Sequence, residues 1–223
     1  MTPRTLTFTL FLVLGSTAAP AQNPVPDTPA AREARETAPQ LYAYTQTVLF
    51  GDLWKRPELS PRDRSLVTMS VLIANGQGAQ LTSHINLALE NGVKPREISG
   101  QITHLAFYTG WPNAMSAVGV AKTVFAQRGI DSKELKTIPE DILYADLWKQ
   151  PDLTLRDRSL ITVAALIARG QLEALNSQLE LAKVHGLTKV QIAEAATHIA
   201  FYAGWPRAMS ALPAIRTAFE DRK

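Results

Sequence analysis

The sequence predicts an all-α protein made of two copies of one helical unit, and three observations carry that reading. Residues 53–125 align with 147–219 without a gap, and 36 of the 73 aligned positions are identical. Self-similarity at a fixed offset is the mark of a repeat architecture. Helix start and stop signals fall at matching places in both copies. Sustained period-two alternation is missing, and no hairpin dipeptide stands between apolar runs, so strands have nothing to announce them.

Each copy reads as four helices in order. SPRDRSLVTMSVLIANGQ opens with Ser60 as N-cap, Pro61 at the first helical position and Asp63 in the first turn; the second copy opens alike with Thr154 and Asp157. The next helix sets Leu81, Ile85 and Ala88 on one face and stops at Gly92, a residue suited to a left-handed turn. A third helix starts near Pro95, matched by a capping-box pattern from Thr188 to Gln191, and ends at Gly110. Trp111 and Pro112 start the last one, which runs through Met115 to about Phe125.

What precedes the repeats looks like an address. Arg4 followed by LTFTLFLVLG and then Ala19-Pro20-Ala21 has the three parts of a secretory signal peptide. The apolar run is too short for a membrane-spanning helix. The expectation is cleavage after Ala21 and a periplasmic or secreted protein that does not associate with a membrane. The chain then divides into a flexible, Pro-rich leader (22–40), a first repeat (41–130) and a second repeat (136–222). Two short helical units leave apolar faces over, so homo-oligomerisation is expected.

Composition removes several classes of chemistry. A net charge of +3 without any Lys/Arg run argues against a nucleic-acid partner. The absence of cysteine excludes thiol nucleophiles, thiolate metal sites and disulfides. Histidines at 84, 104, 185 and 198 lack metal-ligand spacing and an acidic cluster, so no metal is expected. No glycine-rich phosphate motif or G-x-S-x-G elbow occurs, so no cofactor is expected either.

The repeat also allows an internal comparison. LTSHINLALENG (81–92) pairs with LNSQLELAKVHG (175–186), which puts Gln178 where the first copy has His84. The amide fills the volume but takes no proton, so His84 is the candidate general acid or base. His104 and His198 recur in THLAFY and THIAFY and read as hydrogen-bonded packing residues. His185, just before Gly186, reads as a helix C-terminal residue favoured by the dipole. Arg62 and Arg64 recur as Arg156 and Arg158, in a first turn where cations oppose the dipole. Two readings stay open for them: pairing with carboxylates of neighbouring helices or chains, and anchoring a substrate carboxylate bidentately. Trp111, at a helix N-terminus, is a candidate pocket wall.

Four motifs together, F-G-x-x-W (50–54), R-x-R-S-L-V-T (62–68), H-x₃-A-L-x-N-G (84–92) and H-x-A-x-Y-x-G (104–110), resemble the carboxymuconolactone decarboxylase family, which includes the alkyl hydroperoxidase D-like proteins. The resemblance covers roughly residues 48–128 and 142–220. It implies an all-α fold assembled into rings, a trimer for a double-repeat chain, with a hexamer as the other assembly. It also points away from the peroxidase branch, because Gln77 and Gln80 stand at the two positions where that branch has cysteines. The decarboxylase branch implies a cofactor-independent reaction on a small carboxylated lactone or oxo-acid, with carbon dioxide lost. By that resemblance His84 protonates the carbanion, Arg62 or Arg64 holds a carboxylate, and Tyr108 and Trp111 exclude water. The alternatives are a small-ligand-binding module and a structural oligomer on the same fold.

Overall fold

The structure is a computed structural model that describes residues 29–131 and 147–220. The expected signal peptide, the first part of the expected leader, nearly all of the junction expected at residues 131–135 and the start of the expected second repeat lie outside these residues. Residues 29–46 belong to a unit of their own, holding α1 (Pro29–Thr37) and α2 (Pro39–Tyr44). The leader was expected to lack structure, yet its described part is helical. Its run of Ala, Glu and Arg supplies good helix formers, which outweigh the flanking prolines.

A second unit begins at Thr47 and contains the second repeat and the first from residue 47 onward. Its centre is a pair of helices, α3 (Pro61–Ala74) and α7 (Leu155–Arg169), packed against each other. Ser60 Oγ accepts from the Asp63 amide at 3.0 Å, and Thr154 Oγ1 accepts from the Asp157 amide at 3.0 Å, so both expected N-caps form. Every residue from Asp63 to Ala74 and from Asp157 to Ala168 is buried. Helices apolar on nearly all sides belong inside a core, and these two form it.

Around this pair the two copies repeat their outer helices. In α4 (Gly78–Glu90), Leu81, Ile85 and Ala88 are buried, the face the spacing predicts; α8 (Leu172–Val184) buries Leu175, Leu179 and Ala182. At the end of α4 the Val93 amide donates to Ala88 at 2.9 Å and the Gly92 amide to Leu89 at 3.1 Å. That two-bond closure needs a left-handed residue, and Gly92 adopts φ 87°. α5 (Pro95–Thr109) and α9 (Lys189–Ala203) follow, the latter with the expected Thr188–Gln191 capping box. α6 (Trp111–Gln127) and α10 (Trp205–Ala218) close the copies.

One feature of the packing sets up the site. α9 of the second copy lies on α3 of the first, and α5 of the first lies on α7 of the second. The helix carrying each buried histidine therefore faces the arginine-bearing helix of the other copy. At the junction, Arg62 donates twice to Asp157 (3.2 and 2.9 Å) and Arg156 donates twice to Asp63 (3.2 and 2.7 Å). Cations and carboxylates at the two helix N-termini thus neutralise each other crosswise.

Candidate active site

His84 projects from α4 into a cluster drawn from both copies. A 3₁₀ turn, Leu53–Lys55, brings Trp54, whose indole stacks on the His84 ring with centroids 6.4 Å apart. Phe50 also stacks on this tryptophan, with centroids 5.9 Å apart. From the second copy, Tyr202 on α9 meets His84 edge-on at 5.5 Å, and His198 lies beside Tyr202 at 5.1 Å.

Most hydrogen bonds of this cluster have directions that follow from the donors alone. Arg64 is fully buried and can only donate; its Nη1 reaches Glu194 Oε1 at 3.1 Å and His198 Nδ1 at 3.3 Å, and its Nη2 reaches the Arg56 carbonyl at 2.7 Å. His198 Nδ1 must then accept, which places its proton on Nε2, 2.8 Å from Thr68 Oγ1. Thr68 pairs with the Tyr202 hydroxyl as well, and a hydroxyl oxygen can accept twice, so either of the two can be the donor. Trp54 Nε1, a donor only, gives its proton to the Tyr202 oxygen at 2.9 Å.

Burial controls the protonation states. It lowers the His84 pKa to about 4, so the imidazole is neutral at neutral pH. His198 is pushed well below its ordinary value, first by burial, then by Arg64 and His84. Tyr202 is pushed up by burial, so its phenol keeps its proton. His84 Nδ1 is buried without a hydrogen-bond partner, a state that costs about 1–3 kcal/mol unless a bound group satisfies it. His84 and Tyr202 are each partly exposed as residues.

Of the five residues the sequence singles out, the structure brings His84 and Arg64 into one cluster. Arg64 joins it through His198, not through a free guanidinium. Arg62 is held by Asp157 and by Glu97 at 3.2 Å. Tyr108 faces a second cluster, beside His104 at 5.0 Å and bonded by Trp148 Nε1 at 3.2 Å. Trp111 is 54% exposed and packs edge-on against Phe107 at 5.7 Å. His104 and His198 do have both ring nitrogens hydrogen-bonded, as packing histidines should. His185 caps the C-terminus of α8, as expected, and in addition meets Ser159 Oγ at 2.7 Å through Nδ1.

Sequence reasoning missed Trp54, Glu194 and Tyr202. The repeated L-W-K and H-x-x-x-Y motifs point to the tryptophan and tyrosine, whereas Glu194 has Gly100 as its counterpart and so no echo. Among the described residues no three His, Asp or Glu side chains gather as a metal site. A surface cleft of about 570 Å³ lies between α8 and α10, lined by Leu172, Asn176, Ser210 and Pro213 among others, and none of the His84 cluster borders it. The cleft brings together no buried polar group.

An all-helical double repeat with a neutral, unpartnered imidazole at the seam between copies defines the class, and comparison with known proteins supplies the family. The chain belongs to the carboxymuconolactone decarboxylase family, whose model matches residues 39–123 and again 133–217. It is similar to a 4-carboxymuconolactone decarboxylase of Acinetobacter baylyi, 38% identical over 81 residues, covering 36% of this chain and 60% of that protein. It is also similar to a nitrosuccinic acid decarboxylase of Metarhizium robertsii, 34% identical over 73 residues, covering 33% of this chain and 51% of that protein. The matched stretch thus spans little more than half the length of either relative.

Proposed function

We propose that the chain is a cofactor-independent decarboxylase acting on a small carboxylated lactone or oxo-acid, with His84 transferring the proton. The observation that carries this reading is the neutral His84 imidazole, unpartnered at Nδ1 and packed edge-on against the Tyr202 ring. Two relatives named as decarboxylases support the reaction class.

The sequence of events follows from charge. A substrate carboxylate placed beside a neutral imidazole raises its pKa, so His84 takes up a proton as the anion arrives. The carbon–carbon bond to the carboxylate breaks, carbon dioxide leaves, and the electron pair moves into the conjugated carbonyl. Tyr202 donates to the oxygen on which that charge develops. His84 then protonates the carbanionic carbon and returns to neutral, so one solvent proton is consumed per turnover. Aromatic walls of Trp54 and Phe50 keep water from the reacting carboxylate, whose charge is dispersed as carbon dioxide forms. Arg64 acts at one remove, by fixing the tautomer of His198 beside Tyr202. The terminal nitrogens of Arg62 and Arg64 already donate to internal acceptors, so the substrate carboxylate is left to His84.

The test is turnover of 4-carboxymuconolactone by the mature chain beside His84→Gln. Loss of proton transfer typically costs about 10²–10⁴-fold in rate. Folded wild-type protein that forms no enol-lactone removes this substrate. Equal turnover by the variant removes His84 from the mechanism.

The reading also includes export with cleavage after Ala21, for which N-terminal sequencing of the secreted protein is the check. It further includes a homo-oligomer, most simply a trimer. Trp111, Met115 and Val118 on α6, with Trp205 and Met209 on α10, expose apolar surface that association would cover. Sedimentation equilibrium decides the number of chains.

A further inference from the structure

The cluster around Tyr108 repeats the arginine–histidine–threonine–tyrosine–tryptophan set of the His84 cluster, with Gln178 at the position of His84. Arg158 Nη1 reaches His104 Nδ1 at 3.3 Å, His104 Nε2 reaches Thr162 Oγ1 at 2.7 Å, and Arg158 Nη2 reaches the Gln150 carbonyl at 2.9 Å. Thr162 pairs with Tyr108, and Trp148 Nε1 donates to the Tyr108 oxygen at 3.2 Å. Trp148 therefore occupies one lone pair of the Tyr108 oxygen, and the phenol keeps an O–H with which to donate. Both Tyr108 and Gln178, which takes the place of His84, keep partial exposure.

A compensating pair of substitutions preserves this relay. The first cluster neutralises its buried arginine with Glu194 from α9, but the matching residue on α5 is Gly100. Asp152 fills that gap and bonds Arg158, and its carboxylate occupies the space that a Cβ on residue 100 would enter. The first copy has an acid at the position of Asp152 as well, Glu58, so the second copy keeps one of two carboxylates and gives up the other.

The imidazole has moved. The first copy carries His84 and, seven residues on, Asn91; the second carries Gln178 and His185. Seven residues is two turns, so both positions share one helix face. His185 lies against Trp148 with centroids 5.7 Å apart, as His84 lies against Trp54. Gln178 Oε1, meanwhile, is buried without a hydrogen-bond partner.

We propose that this second cluster is a second binding site for the same class of small carboxylated lactone or oxo-acid, one that holds its ligand without turning it over. The inference rests on the decarboxylase reading of the first site. Tyr108 offers a donor to the ligand carbonyl, and the Gln178 carboxamide offers either an acceptor or, turned over, a donor to its carboxyl group. His104 beside Tyr108 has both ring nitrogens bonded, and His185 packs on Trp148 and is bonded to Ser159 through Nδ1, so neither takes the role of His84 and the bound molecule leaves unchanged.

The experiment is calorimetric titration of full-length mature His84→Gln with 4-carboxymuconolactone, a variant in which neither site can protonate the ligand. Two equivalents per chain are expected, falling to one when Tyr108→Phe and Gln178→Leu are added. Circular dichroism confirms that each variant is folded. One equivalent in His84→Gln, unaffected by the added changes, in a protein whose wild type turns the lactone over, overturns the second site and leaves the first reading intact. No binding, together with no turnover by wild type, overturns both.

Discussion

Replacing Arg62 by leucine separates an architectural arginine from a substrate anchor. Arg62 donates twice to Asp157, and that carboxylate is only 4% exposed while the Arg62 side chain keeps 27% of its surface. Exposed ion pairs contribute about 0–1 kcal/mol, whereas breaking a buried one costs roughly 3–5 kcal/mol. This pair lies between, and Arg156 at 3.5 Å remains to compensate Asp157 in part. The expected loss is about 2 kcal/mol, because Leu keeps the stem volume and removes only the charge and two hydrogen bonds. For a domain of this size that lowers Tm by roughly 4–8 °C. Thermal unfolding by far-UV circular dichroism at fixed protein concentration measures it, and KM for 4-carboxymuconolactone is read on the same sample. Stability falls and KM stays. An unchanged Tm with KM raised tenfold or more would refute the reasoning and return Arg62 to the substrate.

Other consequences follow from the same contacts. Tyr202→Phe removes the donor proposed for the developing oxyanion and is expected to lower kcat by roughly 10²-fold, while Tyr108→Phe leaves kcat near wild type; steady-state kinetics of the pair tests the crosswise assignment. Burial holds His84 near a pKa of about 4 and His104 near about 3, with His198 also lowered, against an ordinary value of 6.5. The unfolded chain therefore binds more protons than the folded one below pH about 6.5, so stability is full above that value and falls as pH drops toward 4. Denaturant titrations at pH 7 and pH 5 are expected to show a smaller acid loss in His84→Gln than in wild type. Gly100→Ala forces the Asp152 carboxylate out of its place and deprives Arg158 of its partner, at an expected cost of about 3 kcal/mol; a Tm equal to wild type would show that Arg158 does not need it.

The sequence by itself determined a good deal here. The ungapped repeat, the caps at Ser60 and Thr154 and the stops at Gly92 and Gly110 are local properties, and the helices form where these residues put them. The family was legible too, because its motifs are short runs on single helices. His84 stood out as the one imidazole that the second copy exchanges for an amide. Which residues meet it was a different matter. Tyr108 sits in the same copy as His84, whereas Tyr202 is its structural neighbour. THLAFY and THIAFY present nearly the same side chains, so no local pattern distinguishes packing within a copy from packing across copies. The long-range contact of α9 with α3 and of α5 with α7 made that choice. It also turned Arg62 toward Asp157 and Arg64 toward Glu194 and His198. A buried cation must find a carboxylate wherever the fold places one, and sequence spacing does not encode a distance across two helices.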